Sequence, residues 1–328
     1  MKLVRVAASG TGFVVDSGGV ASVVESTSLV GQFEGVLGDT VGRLFGSGTD
    51  SWMPLIAQWP SIRSALTDTV GKVQADLDQG FNRFGARPLD DVVLDPPLPD
   101  PGSRIFAAGG NFPAHAAGMA SKTEQVASGA QSAPPWGFFV IPGTVVGHGA
   151  IVTPPDGTEK LDYEAEVAVV LGGGEHSPGS DQIAVWGYTA WNDFSIRDEA
   201  LGLRQIDHGP LTWSLTKNFR TGNACGPWLV VDEGDVSDLR IRCLVNGRVR
   251  QDGKTSQMQN SFGRMAGHIS RYVPIGGGDI ILSGTPDGTA MEGGINGPFL
   301  QNGDEIGVLV DGISELRNVV RTPIRPAP

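Results

Sequence analysis

Residues 161–173, LDYEAEVAVVLGG, constrain this chain more than any other stretch. They read as a strand: Val167, Val169 and Leu171 alternate onto one face, and the run is apolar after Glu166. Glu164 and Glu166 sit at i and i+2. A strand points both side chains the same way, about 7 Å apart along the chain at ~3.3 Å per residue. Two carboxylates held that close on a largely buried strand repel each other and lose hydration. They call for a proton, a basic partner or a cation. A solvent-facing edge strand with two ordinary acids is the other reading; paired carboxylates suit a hard cation.

The totals exclude some classes. At 328 residues the chain exceeds one small domain and allows two. A net charge of −12 argues against nucleic acid, which needs a basic stripe. Gly at 48 and Pro at 22 point to turns and short strands rather than a helical bundle. Cys225 and Cys243 form no metal or redox spacing and read as buried thiols of a reducing compartment. No apolar run is long enough to span a membrane. The N-terminus lacks a signal peptide's apolar core and reads as a first strand. A cytoplasmic protein is the default expectation.

Along the chain, residues 1–35 alternate as hairpins, and glycine-rich 36–50 read as a loop. Ile56, Trp59, Ile62, Leu66, Val70, Val73 and Leu77 recur at three and four, which predicts helices over 53–81, broken early by Pro54 and Pro60. Residues 87–103 carry five prolines and four aspartates, a linker or extended wrap. They divide an N-terminal domain of hairpins and helices, 1–100, from a larger domain, 101–328. A short strand at 105–108 ends in Gly109-Gly110-Asn111-Phe112, and Pro113 opens a helix with His115 in its first turn. That position suits a cleft, and a plain surface histidine is equally open there. Residues 123–135 are small and polar, and a mobile segment is expected. A strand with a turn is expected over 138–152.

A later strand closes at Asp193, after which Ser195 is expected to cap a helix carrying Arg197, Asp198 and Glu199 in its first turn. The last two read as helix-dipole partners; Asp193, ahead of that start, has no such reading. Lys217 is one of only six lysines and lies among uncharged residues, so burial against a carboxylate or an anionic ligand is expected. RIRCLVNGRV (240–249) is a hairpin about Asn-Gly. A helix is expected over 257–271, a strand at 280–282, and a final strand pair from 303 to 319.

Together DYEAEVAVVLG (162–172), GYTAWNDFSIRDEA (187–200), TKNFRTGNACGPW (216–228), LVNGRVRQDGKTSQM (244–258), LSGTPDGTAM (282–291) and GDEI (303–306) resemble the fumarylacetoacetate hydrolase family. The resemblance implies a mixed α/β, β-rich fold, with a β-roll or barrel-like core and a smaller N-terminal domain. It implies a divalent cation, Mg²⁺ or else Mn²⁺ or Ca²⁺, on Glu164, Glu166 and Asp193. Lys217 would stabilise an enolate and His115 would act as base. Gly284, Thr285 and Asn111 would meet a small 2-oxo acid substrate. Arg197 would be a salt-bridge partner within the core. The family is commonly dimeric, so a homodimer is expected.

The chemistry so implied is C–C bond hydrolysis of an acylpyruvate-like 2-oxo acid through an enolate. Hydration, dehydration, decarboxylation and isomerisation pass through the same enolate and form the alternative. A binding protein that kept the metal site without its base is a third reading. Two departures matter. Gly118 stands where hydrolytic and decarboxylating members usually place a glutamate three residues after the histidine, and Glu124 is too far along the helix to replace it. Val140-Ile141 stand where many members carry a lysine, leaving Arg204 or His208 as substitutes for an anionic contact.

Overall fold

A computed structural model describes residues 1–45, 51–120, 134–203, 210–231, 235–313 and 315–323. The strand Ala165–Leu171 lies within a twelve-stranded sheet. Its path runs Arg87–Pro88, Val20–Glu25, Gly10–Ser17, Lys2–Val6, Asn223–Val231, Val185–Asp193, Ala165–Leu171, Ile280–Leu282, Ile105–Ala108, Gly137–Phe139. Every residue of Ala165–Leu171 is buried. Val167, Val169 and Leu171 face one core, Ala168 and Val170 the other. This explains a run apolar on both faces rather than strictly alternating.

The first core is closed by a five-stranded sheet, Arg248–Lys254, Arg240–Val245, Glu305–Val310, Leu316–Val320 and Ile151–Val152, and by the helix Phe262–Ile269. The second is closed by the helix Met53–Asp78, which buries Leu55, Ile56, Trp59, Ile62, Leu66 and Val73. Each of those side chains contributes roughly 1.5–3 kcal/mol by leaving water. The N-terminal hairpins continue the same sheet, since Leu3 pairs with Leu229. The fold is mixed α/β and β-rich, as expected, but the main sheet has two ends and closes no barrel. At one end Pro88 offers no N–H to a further strand.

Several local expectations change. Residues 36–50 do not form a loop throughout: Gly35–Phe45 is a helix, because Val41 and Phe45 bury one face despite the glycines. Met53–Asp78 is one helix, with Pro54 in its first turn and Pro60 on its exposed side. Residues 138–152 form only short strands, Gly137–Phe139, Val145–Val146 and Ile151–Val152, around the turn Pro142–Thr144. Ser195 caps no helix. Ser195–Ile196 pairs with Leu161–Asp162, and the Ser195 hydroxyl donates to the Asp193 carbonyl at 3.0 Å. The helix expected over 257–271 shortens to Phe262–Ile269, its N-cap Ser261 accepting from Arg264 N–H. The Asn246-Gly247 hairpin forms with both residues at positive φ, 50° and 74°. Among the described residues no helix is long and apolar enough to cross a membrane.

Candidate active site and metal centre

Glu164 and Glu166 enter the site from the start of the central strand, and Asp193 from the end of the neighbouring one. The antiparallel register brings them together: Ala165 lies opposite Asn192, and Asp193 N–H donates to the Glu164 carbonyl at 3.0 Å. One carboxylate oxygen from each of the three lies within 4.8 Å of the others, and all three side chains are buried. Lys217, in the last turn of the helix Pro210–Lys217, donates to Glu164 Oε2 at 2.6 Å and Asp193 Oδ2 at 2.7 Å. Arg197 donates through Nε to Asp162 Oδ2 at 3.1 Å and through Nη2 to Glu164 Oε1. Lys217 and Arg197 therefore have the buried partners expected of them.

Four carboxylates, Asp162, Glu164, Glu166 and Asp193, are buried against two cations, Lys217 and Arg197. Two negative charges are left over, the charge of one divalent ion. Asp193 Oδ1 is buried and receives no hydrogen bond among the described residues. An unpartnered buried carboxylate oxygen is costly. It suits a ligand atom, and an all-oxygen donor set suits a hard cation.

The charges divide unevenly. Burial opposes the Glu164 carboxylate, but Lys217 and then Arg197 outweigh it and hold it at about 2. Burial pushes Asp193 up to about 7 against the opposing charge of Lys217, and Glu164 beside it adds to the rise. Glu166 is raised well above its usual range by burial and by Asp193 and Glu164 beside it. Gly284 N–H donates to Glu166 Oε2 at 3.1 Å. Burial works against the Lys217 charge, yet Asp193 and Glu164 together keep it protonated.

His115 is buried in the helix Pro113–Ala120, and its Nδ1 lies 2.7 Å from Glu292 Oε1. It is near enough to Glu164 to favour that residue's charge. Glu292 belongs to the short helical segment Ala290–Asn296 and is held in place by Gly288 N–H at 3.0 Å and the Thr289 hydroxyl at 3.2 Å. The absence of a glutamate at 118 therefore does not strip the histidine of its partner. The carboxylate arrives from 177 residues away. Gly118 makes room for it, because a Cβ there would lie 2.8 Å from Glu292 Cγ.

The sequence offered one signal for this, the capping box formed by Thr289 and Glu292. Asp162, fully buried beside Arg197, was not singled out either. The polar groups of Asn111 and Thr285 are engaged within the protein. Asn111 Nδ2 donates to the Asn260 and Ser283 carbonyls at 3.0 and 2.8 Å. The Thr285 hydroxyl donates to the Ala165 carbonyl at 3.0 Å and accepts from Gln251 Nε2 at 2.7 Å. Gly284 sits at φ 74°, a conformation that favours glycine. Glu124, Arg204 and His208, and all but the last two of residues 123–135, lie outside the described residues.

Comparison with known proteins fits this geometry. Residues 104–321 match the family model "Fumarylacetoacetate (FAA) hydrolase C-terminal". Oxaloacetate tautomerase YisK of Bacillus subtilis is 34% identical over 238 residues, 71% of this chain and 74% of that protein. A probable 2-hydroxyhepta-2,4-diene-1,7-dioate isomerase from Mycobacterium abscessus superposes over 99% of both chains with a TM-score of 0.69 and 25% identity. Maleylpyruvate hydrolase from Sphingobium sp. SYK-6, solved with manganese(II) and pyruvate, shares the fold with a TM-score of 0.67 over 99% of this chain and 100% of that one, at 21% identity. With two thirds of its length matched by the family model and the acidic triad assembled where the motifs put it, this chain belongs to the fumarylacetoacetate hydrolase family.

Proposed function

We propose that this enzyme interconverts the keto and enol forms of a small 2-oxo acid, oxaloacetate being the first candidate, with a divalent cation on Glu164, Glu166 and Asp193. The observation that carries the reading is the buried triad with Lys217 and the His115–Glu292 pair beside it. The 34% identity to an oxaloacetate tautomerase supports proton transfer as the reaction. Mg²⁺ or Mn²⁺ suits the all-carboxylate donor set. A cation held by these three carboxylates would supply Lewis acidity toward the 2-oxo group and so acidify the neighbouring C–H.

Lys217 keeps its ammonium charged and directed at the centre of the triad, where it can donate to the oxygen that gains charge as the enolate forms. Glu292 accepts from His115 Nδ1–H, which leaves Nε2 with the lone pair. In enolisation Nε2 removes a proton from the carbon beside the oxo group and a proton is gained by the enolate oxygen; in ketonisation the enol hydroxyl loses its proton and Nε2–H delivers one to that carbon. The developing imidazolium is stabilised by the Glu292 charge. Gly284 and Thr285 contribute by fixing the walls of the site around Glu166 and the central strand, and Asn111 by locking the turn that launches the His115 helix.

C–C hydrolysis is the second reading, and the His115–Glu292 contact favours it, because that pair equally activates a water against an acyl carbonyl. The purified enzyme with Mg²⁺ or Mn²⁺ should be given oxaloacetate and acetylpyruvate. Loss of enol absorbance without new products identifies isomerisation. Release of pyruvate and acetate from acetylpyruvate identifies hydrolysis. If Lys217→Met matches wild type on both substrates, the site assignment is wrong.

A further inference from the structure

Asp162 touches no part of the triad directly, yet it is completely buried and accepts four hydrogen bonds. Oδ2 receives Arg197 Nε at 3.1 Å and Met291 N–H at 3.2 Å. Oδ1 receives Ala290 N–H at 2.7 Å and Tyr163 N–H at 3.0 Å. Arg197 in turn holds Glu164, while Ala290 and Met291 open the segment that carries Glu292. A continuous path thus runs by hydrogen bonds from Glu164 through Arg197 and Asp162 to Ala290 and Met291, along the backbone of that turn to Glu292, and by a hydrogen bond to His115. Buried networks of this kind rigidify what they connect when every member is satisfied, as all four Asp162 contacts are.

We propose that Asp162 is a positioning residue that ties the metal-binding carboxylates to the His115–Glu292 pair and so sets the base against the carbon it deprotonates. This rests on the proposed function only for the identity of the reaction; the tie itself stands on the contacts. A carboxylate is required because three backbone N–H groups and a guanidinium converge on it. An asparagine amide would turn a donor toward one of them.

The test compares wild type, Asp162→Asn and Ala290→Pro. The proline removes one N–H donor to Asp162 and crowds Oδ1 with its Cδ, since nitrogen and Oδ1 lie 2.7 Å apart, while changing neither the Arg197 nor the Glu292 side chain. It occupies the first helical position, where proline is tolerated, and Thr289 before it already has ψ 157°, as a residue preceding proline requires. With Mn²⁺ and the substrate found active above, Asp162→Asn should lose kcat by about 20-fold or more, the scale of one hydrogen bond to a charged group. KM and the Mn²⁺ dissociation constant should stay within a few-fold. Ala290→Pro should fall in the same direction by less.

The second readout is NMR of ¹⁵N-histidine-labelled protein. The His115 Nδ1–H resonance, shifted downfield by Glu292 in wild type, should move or broaden in both variants. A role confined to stability would lower the melting temperature and leave that resonance in place. Folded variants with the wild-type resonance and kcat within twofold overturn the proposal. Should Asp162→Asn not fold, Ala290→Pro decides alone. If wild type turns over no 2-oxo acid, the reaction assignment falls, while the histidine resonance still tests Asp162.

Discussion

Gly118→Ala should reduce catalysis while leaving the fold intact. A Cβ at this position would stand 2.8 Å from Glu292 Cγ, 3.0 Å from Cδ and 3.1 Å from Oε2, where ordinary contact begins near 3.4 Å. The glutamate side chain must retreat by roughly half an ångström or more, since its neighbour is helix backbone. The 2.7 Å contact from His115 Nδ1 to Glu292 Oε1 then opens past ~3.2 Å, the outer limit of a normal N–H···O bond. A hydrogen bond to a charged group contributes about 1.5–3 kcal/mol. If that contact stabilises the imidazolium formed in the transition state, its loss slows kcat about 10- to 150-fold, at 1.36 kcal/mol per decade.

Stability should change little. Alanine is better than glycine within a helix by about 1 kcal/mol, which offsets part of the crowding. The assay is steady-state turnover of the 2-oxo acid beside a thermal melt, with Glu292→Gln as the reference for a lost partner. A Gly118→Ala protein that melts like wild type and keeps kcat within twofold would refute the claim that the glycine exists to admit Glu292.

Lys217→Met should lower kcat by more than about 100-fold and also destabilise the metal-free protein, because breaking a buried pair leaves an uncompensated charge and costs about 3–5 kcal/mol; turnover and urea denaturation would check both. Burial raises Asp193 to about 7 and Glu166 well above its usual range, whereas the unfolded chain ionises such groups near ~4. Between those limits the folded state binds more protons than the unfolded one, so stability of the metal-free protein should fall as pH rises through that window. Cation binding at pH 6 should therefore expel about one proton or more, measured by calorimetry in two buffers of different ionisation heat; no proton release would contradict it. Asp100→Asn should cost about 2–4 kcal/mol of stability while largely sparing kcat, since Asp100 accepts from Trp52 and Met53 N–H at the head of the long helix and pairs with Arg5 in the second core; denaturation and turnover together test this.

The acidic half of the site was legible because its information is local. Glu164 and Glu166 declare themselves by strand spacing, Asp193 by closing a strand, and Lys217 by its isolation among uncharged residues. The histidine was half legible. His115 follows a glycine turn, but its partner Glu292 comes from a segment brought near only by the tertiary fold, and its T-x-x-E capping box looks like an ordinary helix start. Gly118 read as a deficit because a sequence cannot show that empty space at one position is filled from another. Asp162 was hidden for the same reason: its four donors come from three separate segments. In the fold, Gly35–Phe45 was obscured by glycines whose low propensity is outweighed by burial of Val41 and Phe45. The long helix was obscured by Pro60, which costs less on an exposed side.

Anomalous diffraction from crystals grown with Mn²⁺ tests the centre most directly. One manganese peak per chain is expected, in coordination contact with Glu164, Glu166 and Asp193 and including Asp193 Oδ1, with Asp193→Ala removing it. A strong peak elsewhere, or three carboxylates left without an ion at saturating Mn²⁺, would contradict the assignment of these residues as a metal centre.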